Sequence, residues 1–170
     1  ANWQELGDKK IRKLVDYANS KSVGVLFWYN SGGSNNTVTE EPRDRMQERD
    51  IRRKEFKYLH EIGARGIKVD FFHSDKQDRI QQYIGIIEDA ADFKLVVNFH
   101  GCTLPRGWSR TYPNLLSMES VKGAEAYGFD KNYPKNAPWH NTILPFTRNV
   151  VGSMDFTPAA FSDDNHPHLT

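Results

Sequence analysis

Apolar and polar positions along the chain follow two periods that alternate. Residues 8–22 carry Ile11, Leu14, Val15 and Ala18 at helical spacing, with Asp8 in place as an N-cap. The run VGVLFWY (23–29) is continuously apolar and predicts a strand buried on both faces. SGGSNNTVT (31–39) is a loop by composition. Residues 43–62 form a charged helix with Met46, Ile51, Phe56, Leu59 and Ile62 inward, stopped by Gly63. GIKVDFF (66–72) is the second strand, 75–92 the third helix, and KLVVNFH (94–100) the third strand. Beyond residue 100 the pattern loosens, and 115–118 and 149–156 are the remaining strand candidates. Strands alternating with helices predict βαβ units and a parallel sheet.

Each strand run ends in polar groups: Asn30, Asp70, Asn98 with His100, Glu119 and Asp155. Such residues at strand C-termini build the active site of a (β/α)8, or TIM, barrel. A doubly wound sheet also binds ligands there, but its fingerprint is a Gly-rich loop after the first strand. SGGS (31–34) lacks that spacing. A whole barrel takes about 250 residues, so five strands in this α/β chain correspond to part of one. The open sheet edges of a partial barrel predict self-association of the chain.

Composition narrows the function classes. Hydrophobic residues are 38% and charged residues 26%, enough to bury a core. The net charge of +1 leaves no electrostatic footprint for nucleic acid or anionic lipid. No apolar run approaches the roughly 20 residues that cross a bilayer. The single cysteine, Cys102, excludes an internal disulfide, and its place beside His100 invites a Cys–His reading for which no orienting partner is evident. His166 and His168 would be metal ligands or simply a polar tail. Twelve per cent aromatics suit a sugar-binding cleft, with Trp108 and Trp139 as candidate platforms.

Four segments carry a family resemblance: GIKVDFF (66–72), VNFHGCTLPRGWSRTYPNL (97–115), Met118-Glu119 with GAE (123–125), and NTILPFTRNVVGSMDFTP (141–158). Together, across roughly residues 20–162, they closely resemble the catalytic domain of glycoside hydrolase family 97, which contains α-glucosidases and α-galactosidases. The resemblance implies that the chain is strands three to seven of that barrel, without the family's N-terminal β-sandwich and C-terminal β-domain. It also implies a periplasmic or secreted protein. Retaining members place a nucleophilic Asp where Asp70 stands; inverting members lack it and carry a Glu base after the histidine that here is His100. With Asp70 present and Gly101 after His100, the sequence resembles the retaining, α-galactosidase branch.

By the same resemblance Glu125 is the general acid and Glu119 a calcium ligand, with Glu125 beside it at the metal. His100 is a substrate contact, and Asn30 and Trp108 are further expected sugar contacts. Calcium is expected in the complete enzyme, whose site also draws a Glu from the β-sandwich. A nucleophilic Asp70 calls for a cationic neighbour, and Lys68, Arg106 and Arg110 are the candidates. The expected substrate is an α-galactoside or related oligosaccharide. Two other readings stay open: an inverting α-glucosidase with its base at Glu40, Glu41 or outside the chain, and a non-catalytic fragment that binds sugar weakly.

Overall fold

The computed structural model describes residues 2–157; His166 and His168, read as metal ligands or a polar tail, lie outside the described residues. Four strands, β1 (Leu26–Asn30), β2 (Gly66–Asp70), β3 (Val96–Phe99) and β4 (Leu115–Met118), form one parallel sheet in that order. Helix α1 (Asp8–Ser20) precedes it, while α2 (Arg49–Glu61), α3 (Gln77–Asp92) and the short α4 (Trp108–Thr111) make the crossovers. Helix α5 (Tyr133–Ile143) follows β4. Sequential parallel strands joined by helices are the repeating unit of a (β/α)8 barrel.

Alternation along the strands sorts the two faces. Phe27 and Tyr29, Ile67 and Val69, and Val97 and Phe99 pack outward against Phe56 and Leu59 of α2 and Tyr83, Ile86 and Ile87 of α3. Trp28, Lys68, Asn98 and Ser117 are register partners on the inner face. The inner face of this sheet is therefore polar, as suits a site, and the apolar core lies beneath the helices.

Three local expectations are corrected. Asp8 is the first helical residue rather than the cap, and its carboxylate takes Arg12 and the Tyr58 hydroxyl instead. Residues 43–48 are turns, not helix: the Arg43 guanidinium donates to the carbonyls of Gly33, Val38 and Asn36, and Asp44 accepts from the Gly33 N–H. The expected fifth strand is a 3₁₀ turn, Asn149–Val151, followed by a single parallel bridge between Met118 and Met154. The chain turns at Gly152, φ 146°, which ends the extended run before it can pair. The buried Arg148 guanidinium donates to the carbonyls of Met118 (2.6 Å), Glu119 (3.2 Å), Gly152 (2.9 Å) and Ser153 (3.3 Å), so a side chain holds this turn to the end of β4.

Helices α2 and α3 are joined by a buried ion cluster. Asp89 accepts from Arg49 (3.2 Å), from Arg53 (2.7 Å) and from Arg52, whose remaining nitrogen donates to the carbonyls of Met46 and Gln47. Burial alone would raise the Asp89 carboxyl, but the three guanidinium groups outweigh it and hold it below the usual range. Removing one partner leaves Arg52 buried and unpaired. Asp89→Asn is expected to cost about 3–5 kcal/mol in urea or thermal unfolding of the full-length protein. Since the folded pKa is the lower one, that stabilisation is complete above the unfolded value of about 3.9 and lost as pH falls below it. The gap between wild type and variant should therefore close in acid; a gap that persists there would show that the charge is not its source.

Candidate active site

The strand ladder continues past the sheet by single bonds: His100 N–H to Val69 O (2.9 Å) and Glu119 N–H to Phe99 O (2.8 Å). Asn30 pairs with Asp70 in register. The four residues thus stand level, one per strand end on the inner face, above the row of Trp28, Lys68, Asn98 and Ser117.

Asp70 is buried and held at both oxygens. Its Oδ1 accepts the Phe71 backbone N–H at 2.8 Å and its Oδ2 the Trp28 indole N–H at 3.3 Å. The chain leaves it through Phe71 at φ 66°, a left-handed turn uncommon for an aromatic residue. Gly101 closes the neighbouring strand end at φ 47°, and a Cβ there would lie 2.8 Å from Phe71 N and 3.0 Å from Asp70 Oδ1. A side chain at 101 would collide with the very turn that presents Asp70. None of the expected cations is Asp70's hydrogen-bond partner: Arg106 pairs with Asp75 at 3.5 Å, and Lys68 stands one row below.

His100, 2% exposed, points its Nε2 at Asp155 Oδ2 (2.6 Å), which also accepts from Asn98 Nδ2 at 2.8 Å. Burial alone would raise the Asp155 carboxyl; the His100 and Asn98 contacts outweigh it and hold it low. The other ring nitrogen lies 3.6 Å from Glu119 Oε1, while Glu119 Oε2 accepts the Gly101 N–H at 2.8 Å. Burial pushes the Glu119 carboxyl up, and the neighbouring Glu125 carboxyl adds to it against the lowering by Gly101 and His100. Glu125 is exposed on a 3₁₀ turn, Ala124–Gly128, whose N–H to Thr157 O bond (2.9 Å) anchors it near the end of the described chain.

Two expected sugar contacts are engaged in other roles. Asn30 is fully buried: its Nδ2 donates to the carbonyls of Val38 and Glu40, and its Oδ1 accepts from Gly32 N–H and Asn36 Nδ2. It organises the loop after β1 and has no polar atom left for a ligand. Trp108 packs on Tyr83, itself stacked on Phe72, so it belongs to the outer layer under the helices. The Cys102 thiol is pushed up by burial and is bonded to Phe99 O and Ser120, not to His100. Sequence reasoning missed Trp28 as the donor to Asp70 and Asp155 as the partner of His100. Strand parity places Trp28 on the Asp70 face, and that signal was legible. Among the described residues no group of three or more His, Cys, Asp or Glu is arranged to hold a metal; Glu119 and Glu125 supply two carboxylates.

Acidic residues and a histidine converge at the strand C-termini of a parallel β/α sheet, where (β/α)8 barrels build their active sites. The family model of Glycoside hydrolase 97 matches residues 3–121, and the chain belongs to that family. It is 37% identical over 98% of its length to a probable retaining alpha-galactosidase of Streptomyces bingchenggensis, and 33% identical over 88% to the retaining alpha-galactosidase of Bacteroides thetaiotaomicron. It spans only 23% and 20% of those proteins. The crystal structure of a beta-arabinopyranosidase superposes with a TM-score of 0.88 at 41% identity, over 94% of this chain and 26% of that one.

Proposed function

We propose that this chain carries the core of a retaining α-glycosidase active on galacto-configured pyranosides, the rest of the barrel and its flanking β-domains coming from a longer protein. The observation that carries the reading is Asp70: a strand-end carboxylate with both oxygens oriented, beside a glycine that leaves no room for a carboxylate at 101. Asp70 attacks the anomeric carbon from the β face as the glycosidic C–O bond breaks, and Glu125 gives its proton to the departing oxygen. Water then bonds to the anomeric carbon, its proton passes to Glu125, and the bond to Asp70 breaks. Two inversions give net retention. The inverting alternative needs a carboxylate base, and at 101, where inverting members carry one, this chain has glycine.

The beta-arabinopyranosidase likeness favours a second sugar for the same chemistry. A β-L-arabinopyranoside has the ring configuration of an α-D-galactoside and lacks only the hydroxymethyl group. The test is the full-length protein with 4-nitrophenyl α-D-galactopyranoside and 4-nitrophenyl β-L-arabinopyranoside, with the first-formed anomer read by proton NMR. We expect α-galactose first, and a preference for the galactoside of about 10–200-fold, the value of one small substituent. First-formed β-galactose, or no hydrolysis of either substrate, would overturn the reading.

A calcium ion belongs to the same proposal. Glu119 and Glu125 place two carboxyl groups side by side, one of them buried, which is a donor set that a hard dication relieves. Both would hold it, with the remaining oxygens of its six to eight supplied from outside the described residues. Bound there, the ion would supply positive charge beside the general acid.

A further inference from the structure

Asp155 stands at the inner face, and neither the mechanism nor the metal uses it. Asp155 is not on a strand; it follows the bridge residue Met154, with its N–H on Met118 O (3.3 Å) and the preceding Ser153 carbonyl accepting from Met118 N–H (3.4 Å). Arg148 fastens the same stretch through the carbonyls of Gly152 and Ser153. From there the Asp155 side chain reaches past β4 to β3, where one oxygen, Oδ2, meets both Asn98 Nδ2 and His100 Nε2. A carboxylate oxygen this close to Nε2 makes that nitrogen the donor and fixes which edge of the ring faces Asp155. The other ring nitrogen, Nδ1, has no bond of normal length among the described residues: Glu119 Oε1 is 3.6 Å away. It lies in the row between Asp70 and Glu119. A ring without Asp155 loses the bond that distinguishes its two edges, and the turned-over ring presents a C–H edge where Nδ1 stood.

We infer that Asp155 is a positioning residue: it fixes the ring orientation of His100 through Nε2, so that Nδ1 is the nitrogen turned toward the site and a substrate hydroxyl. The inference rests on the proposed glycosidase function and deepens it. Asn98 takes part by holding the same carboxylate oxygen from the row beneath, which fixes Asp155 against both residues of β3.

The competing role is structural. Asp155 would then only pin residues 153–155 to the sheet, and its loss would act through stability. The two are separated by a double-mutant cycle in the full-length protein on 4-nitrophenyl α-D-galactopyranoside, using Asp155→Asn, His100→Ala and the pair. Ser153→Ala serves as control, because Ser153 Oγ ties the same stretch to Leu116 O (2.9 Å) without touching His100. Asp155→Asn is expected to lower kcat/KM by about 10–100-fold, the usual cost of losing a group that orients a site histidine. Added to His100→Ala, it should cost nothing further, since the ring it orients is gone. Ser153→Ala should stay within about twofold of wild type at a similar loss of Tm.

Additive losses in the cycle, or a loss in Ser153→Ala that matches Asp155→Asn at equal Tm, would overturn the positioning role and leave the glycosidase reading intact. An inactive wild type would overturn both. Should Asp155→Asn fail to fold, Asp155→Glu decides instead: a longer arm with the same acceptor should recover part of the activity only if the acceptor itself is what His100 needs.

Discussion

Asp70→Gly in the full-length protein is expected to abolish turnover of aryl α-galactosides, by about 10⁴-fold or more, as loss of a covalent nucleophile does. Azide should then restore it. The truncated side chain leaves a small space on the β face of the sugar, and azide, an anion that needs no deprotonation, fits that space. It attacks the anomeric carbon while Glu125 still protonates the leaving oxygen, so the product is the β-glycosyl azide. The variant tests chemistry more than folding. Among the described residues Asp70 accepts only from Phe71 N–H and Trp28 Nε1, and its neighbours Val69 and Ile67 keep the strand in the core. Activity that survives without azide would make Asp70 a strand-end structural residue and end the retaining assignment.

The same carboxylate explains why Asp70 and Gly101 go together. Their strand ends meet so closely that a Cβ at 101 would press on Phe71 N and Asp70 Oδ1, and φ 47° strains any other residue there. A glutamate at 101 would need the turn after Asp70 to move. In this chain the presentation of Asp70 and the absence of a side chain at 101 are thus one steric arrangement.

What was legible in the sequence is what depends on period. Strands of apolar residues with polar ends gave β1 to β4, and parity along them placed Asp70 and His100 on one face. What was not legible depends on side chains that replace backbone. Residues 149–156 read as a strand because their pattern is apolar, yet Gly152 turns the chain and Arg148 fastens it to β4 by a side chain, leaving one bridge at Met154. Asn30 has the strand-end position of a ligand contact, but the loop from Ser31 to Pro42 folds back onto it and consumes its amide. Trp108 has the composition of a sugar platform and sits where Tyr83 offers a ring to pack on. Asp155 was visible only as a polar residue after an apolar run. Its partner, 55 residues away on β3, required the fold.

The second large effect belongs to Glu125, and its signature is selectivity rather than simple loss. An exposed turn carries it, so Glu125→Ala removes a carboxyl group without opening the core. A general acid contributes about 10²–10⁴-fold, and only where the leaving oxygen needs a proton. Galactosyl disaccharides should therefore lose that full factor in the first step, while a 2,4-dinitrophenyl galactoside, whose leaving group departs unprotonated, should form the glycosyl-enzyme at nearly the wild-type rate. The intermediate then waits, because the base that activates water is the same missing residue. Burst kinetics with the activated substrate should show it accumulating. Azide, which needs no base, should intercept it from the face the aglycone left, giving the α-glycosyl azide, the opposite anomer to that from Asp70→Gly. If Glu125→Ala slows the disaccharide and the activated substrate equally, the proton comes from elsewhere, and Glu119, the buried carboxyl beside it that burial has pushed up, becomes the residue to test.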